Sequence, residues 1–350
     1  MRLLILTFFL LLLTGCAELQ YYGHAVVGQL EVVSQRRPIA EVVADPITSD
    51  KTRQQLIYIE KAHDYAIDEL ILPDSDSFRS YSDVGRRYVL WNVFATPTLS
   101  LTPKKWCYLF VGCLSYRSYF NHDYAKQVAV ELEDKGWDVY IAPSPAYSTR
   151  GLFSDPIYSP VLRYENTTIA GILFHELAHE KVFFNNDSQA NESFAMTVQF
   201  EGVRRWLAKQ NKAESYDSYY LSQQRDDEFV AMLLAHRDRL EKLYTSDKPL
   251  MEKLAAKRRT FNQIKRDYEK LKISWNGYSG FDGWFNRPMN NAVLAPIGTY
   301  HGDVPAFSQL LLENNNSLVD FYQAAESLAA QDAKVRRKKL NSLMSRAEKK

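Results

Sequence analysis

The stretch Gly171-Ile172-Leu173-Phe174-His175-Glu176-Leu177-Ala178-His179 decides how the rest of the chain is read. On an α-helix, positions i and i+4 lie one turn apart on the same face. His175 and His179 can therefore present two imidazole nitrogens to one metal ion, with Glu176 beside them. A catalytic zinc takes three protein ligands and leaves its fourth position open, so one more donor is required. Asn185-Asn186-Asp187-Ser188 reads as a turn and N-cap run that ends this helix and starts another. Glu192 lies about as far beyond that turn as His179 lies before it, so two antiparallel helices would bring the pair face to face. The expected donor set is His175, His179 and Glu192 around one zinc ion per chain, with Glu176 as general base. The competing reading is an ordinary amphipathic helix whose histidines are buried and satisfied.

The composition around this stretch is that of a globular protein: 46% hydrophobic and 24% charged in 350 residues. The formal net charge of +1 gives no reason to expect a nucleic-acid partner. The beginning of the chain carries an address. Arg2 precedes an apolar run, Leu3 to Leu13, that is too short to span a bilayer as a stable helix, and Leu13-Thr14-Gly15-Cys16 closes it. This resembles the bacterial lipoprotein signal, which implies that residues 1–15 are removed, that Cys16 is lipidated, and that acyl chains tie the protein to a membrane. Ala17 after the cysteine fits sorting to the periplasmic face of an outer membrane. Cys107 and Cys113 then remain as a disulfide candidate in an oxidising compartment, with two unpaired buried thiols as the alternative.

In chain order, residues 16–47 read as a lipidated tether that becomes partly helical. Ser49 to Leu70 reads as a helix, with Leu56, Ile59, His63, Ala66, Ile67 and Leu70 at three- and four-residue steps and His63 as a packed core residue. Arg87 to Phe94, Trp106 to Val111 and Asp138 to Ala142 are rich in β-branched and aromatic residues and read as strands. A helix over Asn121 to Lys135 lies among them, capped by Gly136. Tyr147-Ser148-Thr149 is the nominated sheet edge on which a peptide substrate could lie by main-chain pairing. Gln223 to Tyr244 and Leu250 to Leu271 form a helical hairpin, its second arm carrying a seam of Phe261, Ile264, Tyr268 and Leu271. It reads as structural, a cleft wall or a partner surface. The basic segment 334–350 reads as a solvated terminal helix, with contact to anionic lipid as the alternative.

Taken together, His175, Glu176, His179, Glu192, the Cys107/Cys113 stretch, Ala146-Tyr147-Ser148-Thr149 and Asn290-Asn291-Ala292 resemble the bacterial predicted aminopeptidases. Those are zinc peptidases of the gluzincin type, distantly similar to the Mlc titration factor peptidase. The resemblance implies an α+β fold with a zincin-like core, a small mixed sheet packed on the histidine helix, and a mostly helical C-terminal half. Read in order, the chain divides into a signal (1–15), a tether (16–47), a catalytic core (48–220), a helical region (221–333) and a basic tail (334–350). The resemblance also implies peptide hydrolysis, with Tyr300 or His301 as donor to the oxyanion and Tyr147 as a rival. No Gly-x-Met-Glu-Asn strand is present to hold a substrate's free amine, so an acidic group elsewhere must do so, Asp155 and Glu165 being the candidates. The alternatives are an endopeptidase of envelope proteins and a non-catalytic lipoprotein that binds partners through its hairpin.

Overall fold

A computed structural model describes residues 18, 20–108, 112–147, 154–297 and 302–347. In chain order its main elements are helix α1 (20–34), strand β1 (Arg36–Pro38), helices α2 (Ile39–Ala44) and α3 (Asp50–Asp68), then strands β2 (Ser80–Ser82), β3 (Leu90–Pro97), β4 (Trp106–Tyr108), β5 (Gly112–Leu114) and β6 (Arg117–Tyr119). Helix α4 (His122–Asp134), strands β7 (Trp137–Ser144) and β8 (Ile157–Tyr158), and helices α5 (Asn166–Lys181), α6 (Ser188–Lys209), α7 (Ser215–Tyr244) and α8 (Leu250–Ser274) follow. The chain ends in α9 (Val304–Glu313), α10 (Leu318–Ala329) and α11 (Ala333–Ala347). The fold class is α+β, as the sequence implied.

The chain separates into two units, each assembled from distant segments. Unit 1 takes residues up to Pro38, Ser80–Val161 and Met289–Pro296, and holds every described strand. Its main sheet is antiparallel in the order β6-β3-β7, with β3 and β7 paired from Leu90↔Ser144 to Pro97↔Trp137. Val93, Ala95 and Val139 of that sheet pack with Ala125, Ala129 and Leu132 of α4. Gly136 turns the chain from α4 into β7 at φ +80, a conformation that glycine adopts without a Cβ clash. A second small sheet, β1-β2-β8, is mixed, and β4 pairs with β5, where Cys107 and Cys113 are joined by a disulfide. Asn290 and Asn291 are structural here. Asn291 is fully buried, donating Nδ2–H to the carbonyls of Thr98 (3.0 Å) and Ser100 (3.1 Å) and its backbone N–H to Asp138 (2.8 Å).

Unit 2 comprises Ile39–Arg79, Leu162–Pro288 and Ile297–Lys350, and among its described residues the regular elements are helical. Ser49 caps α3 by accepting from the Thr52 backbone N–H, and Leu56, Ile59, His63 and Ala66 line its buried face. The core gathers around α5 and α6: Leu173, Phe174, Leu177, Phe184, Phe194, Phe307 and Phe321 are at most 2% exposed. Gly202 of α6 permits the close packing, because a Cβ there would stand 2.8 Å from the Phe174 ring. The hairpin arms are α7 and α8, with Phe261, Ile264 and Tyr268 buried on the second.

Within unit 2, α5 packs against α3 and α6, while the described strands all belong to unit 1. Apolar residues surround α5 on most sides, and a helix of that kind is enclosed by neighbours rather than laid on one surface. Residue 220, where the sequence reading drew a boundary, falls inside α7, and each unit draws on distant segments. The ends are part of the fold, too. Within residues 16–47, Val32, Ile39 and Val42 are buried, and in the basic segment Arg336, Leu340 and Leu343 are buried in α11.

Candidate metal centre

Helix α5 places His175 and His179 one turn apart, and the chain then reverses through a short connection into α6. Val182 takes an extended conformation that ends α5, and Asn186 turns the chain at φ +56, a region asparagine tolerates better than most residues. Asp187 caps α6 by accepting from the Ala190 backbone N–H at 3.1 Å. The buried Asn191 closes the turn. Its Oδ1 accepts from the Phe184 N–H at 2.8 Å, while its Nδ2 donates to the carbonyls of Phe184 (2.8 Å) and Asp187 (3.1 Å). The residue after this staple is Glu192.

The three donors therefore meet. His175 Nε2 lies 3.1 Å from His179 Nε2 and 3.3 Å from Glu192 Oε2, and His179 Nε2 lies 3.8 Å from the same oxygen. Tetrahedral ligands at zinc distances of about 2.0–2.2 Å stand roughly 3.3–3.5 Å from one another. Two imidazole nitrogens and a carboxylate oxygen at these separations fit a zinc ion. They are the sole metal-capable His/Cys/Asp/Glu trio among the described residues.

Burial, and then the neighbouring His175, push the His179 imidazole down to about 4, with Glu192 opposing them. The neutral form is the one that coordinates a metal. A stability effect follows. Unfolded histidine titrates near 6.5, so below that pH the unfolded chain takes up a proton that the metal-free fold refuses. Stability is fully present above pH 6.5, declines as pH falls, and levels off below about 4, for a loss of about 3 kcal/mol at most. Urea unfolding of chelated protein at pH 7.5 and 4.5 should show this decline, and His179→Gln should remove most of it. An equal decline in both proteins would assign the acid sensitivity to other groups.

A cavity of about 340 Å³ opens beside the trio. It is lined by Ile172, His175, Glu176, Glu192, Met196, Gln199, Gln223, Asp226 and Asp227. Glu176 thus shares a space with two of the donors. Gln199 is oriented by donating Nε2–H to the Tyr219 hydroxyl at 2.6 Å. Asp226 keeps contact with solvent, but crowding from the protein side and then the Asp227 carboxylate raise its pKa above the usual carboxylate range.

The other nominated residues fall elsewhere. Tyr147 is in unit 1, beyond the end of β7, with its hydroxyl donating to Gln29 Oε1 at 2.6 Å and its ring stacked on Tyr158. Among the described strands, β6 and β7 are the two edges of the β6-β3-β7 sheet, and Tyr147 follows the second of them. Ser148, Thr149, Tyr300, His301 and Cys16 lie outside the described residues. Asp155 is buried in unit 1, and Glu165 is exposed just before α5. Neither lines the cavity. Asp226 and Asp227 do, and the sequence reading of the first hairpin arm did not single them out. Their signal was the spacing of Gln223, Asp226 and Asp227, which puts three polar groups on one face of α7 at i, i+3 and i+4.

Among known proteins, a family model described as "Putative aminopeptidase" matches residues 20–340. No curated protein and no solved structure matches the chain. The matched span runs from α1 into α11 and includes His175, Glu176, His179 and Glu192 as well as both cavity aspartates, so the chain belongs to this putative aminopeptidase family.

Proposed function

We propose that this protein is a zinc-dependent aminopeptidase of the cell envelope, with a zincin-like centre held by His175, His179 and Glu192. The observation that carries the reading is the convergence of those donors beside a cavity lined by two of them, His175 and Glu192, together with Glu176, Asp226 and Asp227. Zinc held there supplies Lewis acidity, which polarises a carbonyl and acidifies water. Glu176 accepts the proton of the attacking water and delivers it to the leaving amine. Gln199 and Gln223 offer amide donors and acceptors to the peptide main chain. Asp226 and Asp227 face the substrate's α-ammonium group and select chains with a free N-terminus. Acylation at Cys16 gives the envelope address.

The test is zinc content together with cleavage of paired peptides that differ only in N-terminal acetylation. One zinc per chain and cleavage of the free-amine peptide alone are expected. The double variant Asp226→Asn/Asp227→Asn should lose about 10- to 100-fold in kcat/KM on that peptide, the size of a lost charge-assisted hydrogen bond. Equal cleavage of the acetylated peptide would turn the reading to an endopeptidase. Folded protein that takes up no zinc and cleaves neither peptide would end it.

A further inference from the structure

Helix α1 is apolar on two opposite faces. One is used by the fold of unit 1. Tyr21 packs edge-on against Tyr119 (5.5 Å between ring centres) and beside Tyr108, Val32 is 1% exposed, and a Cβ on Gly28 would stand 2.3 Å from the Phe120 ring. Tyr21, Ala25, Gly28 and Val32 follow steps of four, three and four, which puts them on one side of the helix. The start of the helix is held as well: Arg117 donates to both carboxylate oxygens of Glu18 and lies 3.7 Å over the Tyr21 ring. Ser82 Oγ donates to the Val32 carbonyl near its other end at 2.9 Å. The rotation of α1 about its own axis is therefore fixed.

The opposite side carries Tyr22, Val26, Leu30 and Val33, at steps of four, four and three, with exposures of 43%, 57%, 61% and 52%. Val27 beside them is 66% exposed. A helix on a soluble surface places polar residues opposite its buried stripe. A contiguous apolar stripe in that place marks a contact surface.

The position of the stripe in the chain identifies its occupant. Glu18 is two residues after Cys16, so covalent reach keeps it within about 7 Å of the acylated residue. The stripe runs from Tyr22 to Val33, about 16 Å along the helix. We propose that the Tyr22-Val26-Leu30-Val33 face of α1 lies in the interfacial layer of the lipid bilayer that holds the Cys16 acyl chains. The inference rests on the lipoprotein reading of Cys16 and is independent of the peptidase reading. Acyl chains tether a protein without orienting it. An apolar helix face lying flat in the headgroup region adds a second attachment, which makes binding stable and fixes the orientation of unit 1. No helix among the described residues is long and apolar enough to cross a membrane, so α1 lies on the bilayer rather than through it.

The test uses the full chain, purified from membranes and reconstituted in phosphatidylethanolamine/phosphatidylglycerol vesicles. Cys107 and Cys113 are bonded to each other, so with Cys16 acylated one introduced cysteine is the reactive thiol. Val26→Cys and Leu30→Cys carry an environment-sensitive dye, and Glu31→Cys, on the polar side, is the control. Blue-shifted emission and at least five-fold stronger quenching by nitroxide-labelled lipid at positions 26 and 30 than at 31 are expected. Equal quenching at all three positions would overturn the proposal. So would a blue shift without lipid quenching that grows with protein density, which would give the face to a second copy of the chain. Mass spectrometry of the N-terminal peptide separates the two readings: acylated Cys16 with no difference in depth removes the helix contact alone. Unmodified Cys16, a second thiol open to the dye, removes the acyl tether on which the inference rests and overturns it.

Discussion

Replacing Glu176 by Gln is expected to lower turnover by about a thousand-fold while one zinc stays bound. The substitution preserves size and hydrogen-bonding capacity and removes only the ability to take a proton, and general-base catalysis contributes about 10²- to 10⁴-fold. Glu176 lines the cavity with His175 and Glu192 but is not one of the three converging donors. Metal content and activity should therefore separate in this variant. In Glu192→Ala they should fall together, because a donor has been lost. Metal analysis and kcat/KM on a free-amine peptide, both measured on the same preparations, decide the matter. Turnover near wild type in Glu176→Gln would remove Glu176 as the base, and loss of zinc would make it a ligand.

The parts of this arrangement that were legible in the sequence are those written in short-range patterns. The i, i+4 histidines, the Asn185 to Ser188 turn, the Ser49 to Leu70 helix, Gly136 and the Phe261-Ile264-Tyr268 seam each depend on neighbours within a few residues, and helix and strand periods expose them. Glu192 was accessible because its distance from the turn matches that of His179. The rest depends on pairings of high sequence separation, about which local pattern is silent. Arg336 reads as one of a run of surface cations, yet its partner Asp187 lies 149 residues away. Asn291 reads as part of a motif with chemistry, yet its hydrogen bonds run to carbonyls more than 190 residues away, where it clamps a loop. Asp226 and Asp227 look like solvated charge until α7 is seen beside α6 across the cavity. Division into units built from distant segments follows the same logic, since a boundary drawn along the chain cannot separate interleaved segments.

Arg336→Met is expected to cost about 3–5 kcal/mol of stability, the range for breaking one side of a buried ion pair. The Arg336 side chain is 3% exposed. Its Nε donates to Asp187 Oδ2 at 3.0 Å, its Nη2 to the Asn185 carbonyl at 3.2 Å, and its Nη1 to the carbonyls of Gln331 (3.2 Å) and Ala329 (3.3 Å). Methionine fills much of the volume and satisfies none of these acceptors, so buried oxygens lose their partner and Asp187 loses its closer cation. The effect reaches the metal centre through one turn of chain: Asp187 caps α6, Asn191 staples the same turn, and Glu192 follows. A cap that shifts moves Glu192 relative to the histidines, and groups that hold ligands in place are typically worth 10- to 100-fold in metal affinity. Arg337 is the internal control. Its side chain is 37% exposed, and it bridges Asp187 at 3.3 Å and Asp303 at 2.7 Å. Arg337→Met should cost less, about 2 kcal/mol, because Arg337 itself is partly screened while the buried Asp303 carboxylate loses its cation. Urea midpoints and competitive zinc titrations of the two variants give the comparison. If Arg336→Met unfolds no more easily than Arg337→Met and binds zinc as wild type does, α11 is a passive cover over the α5–α6 turn and not its support.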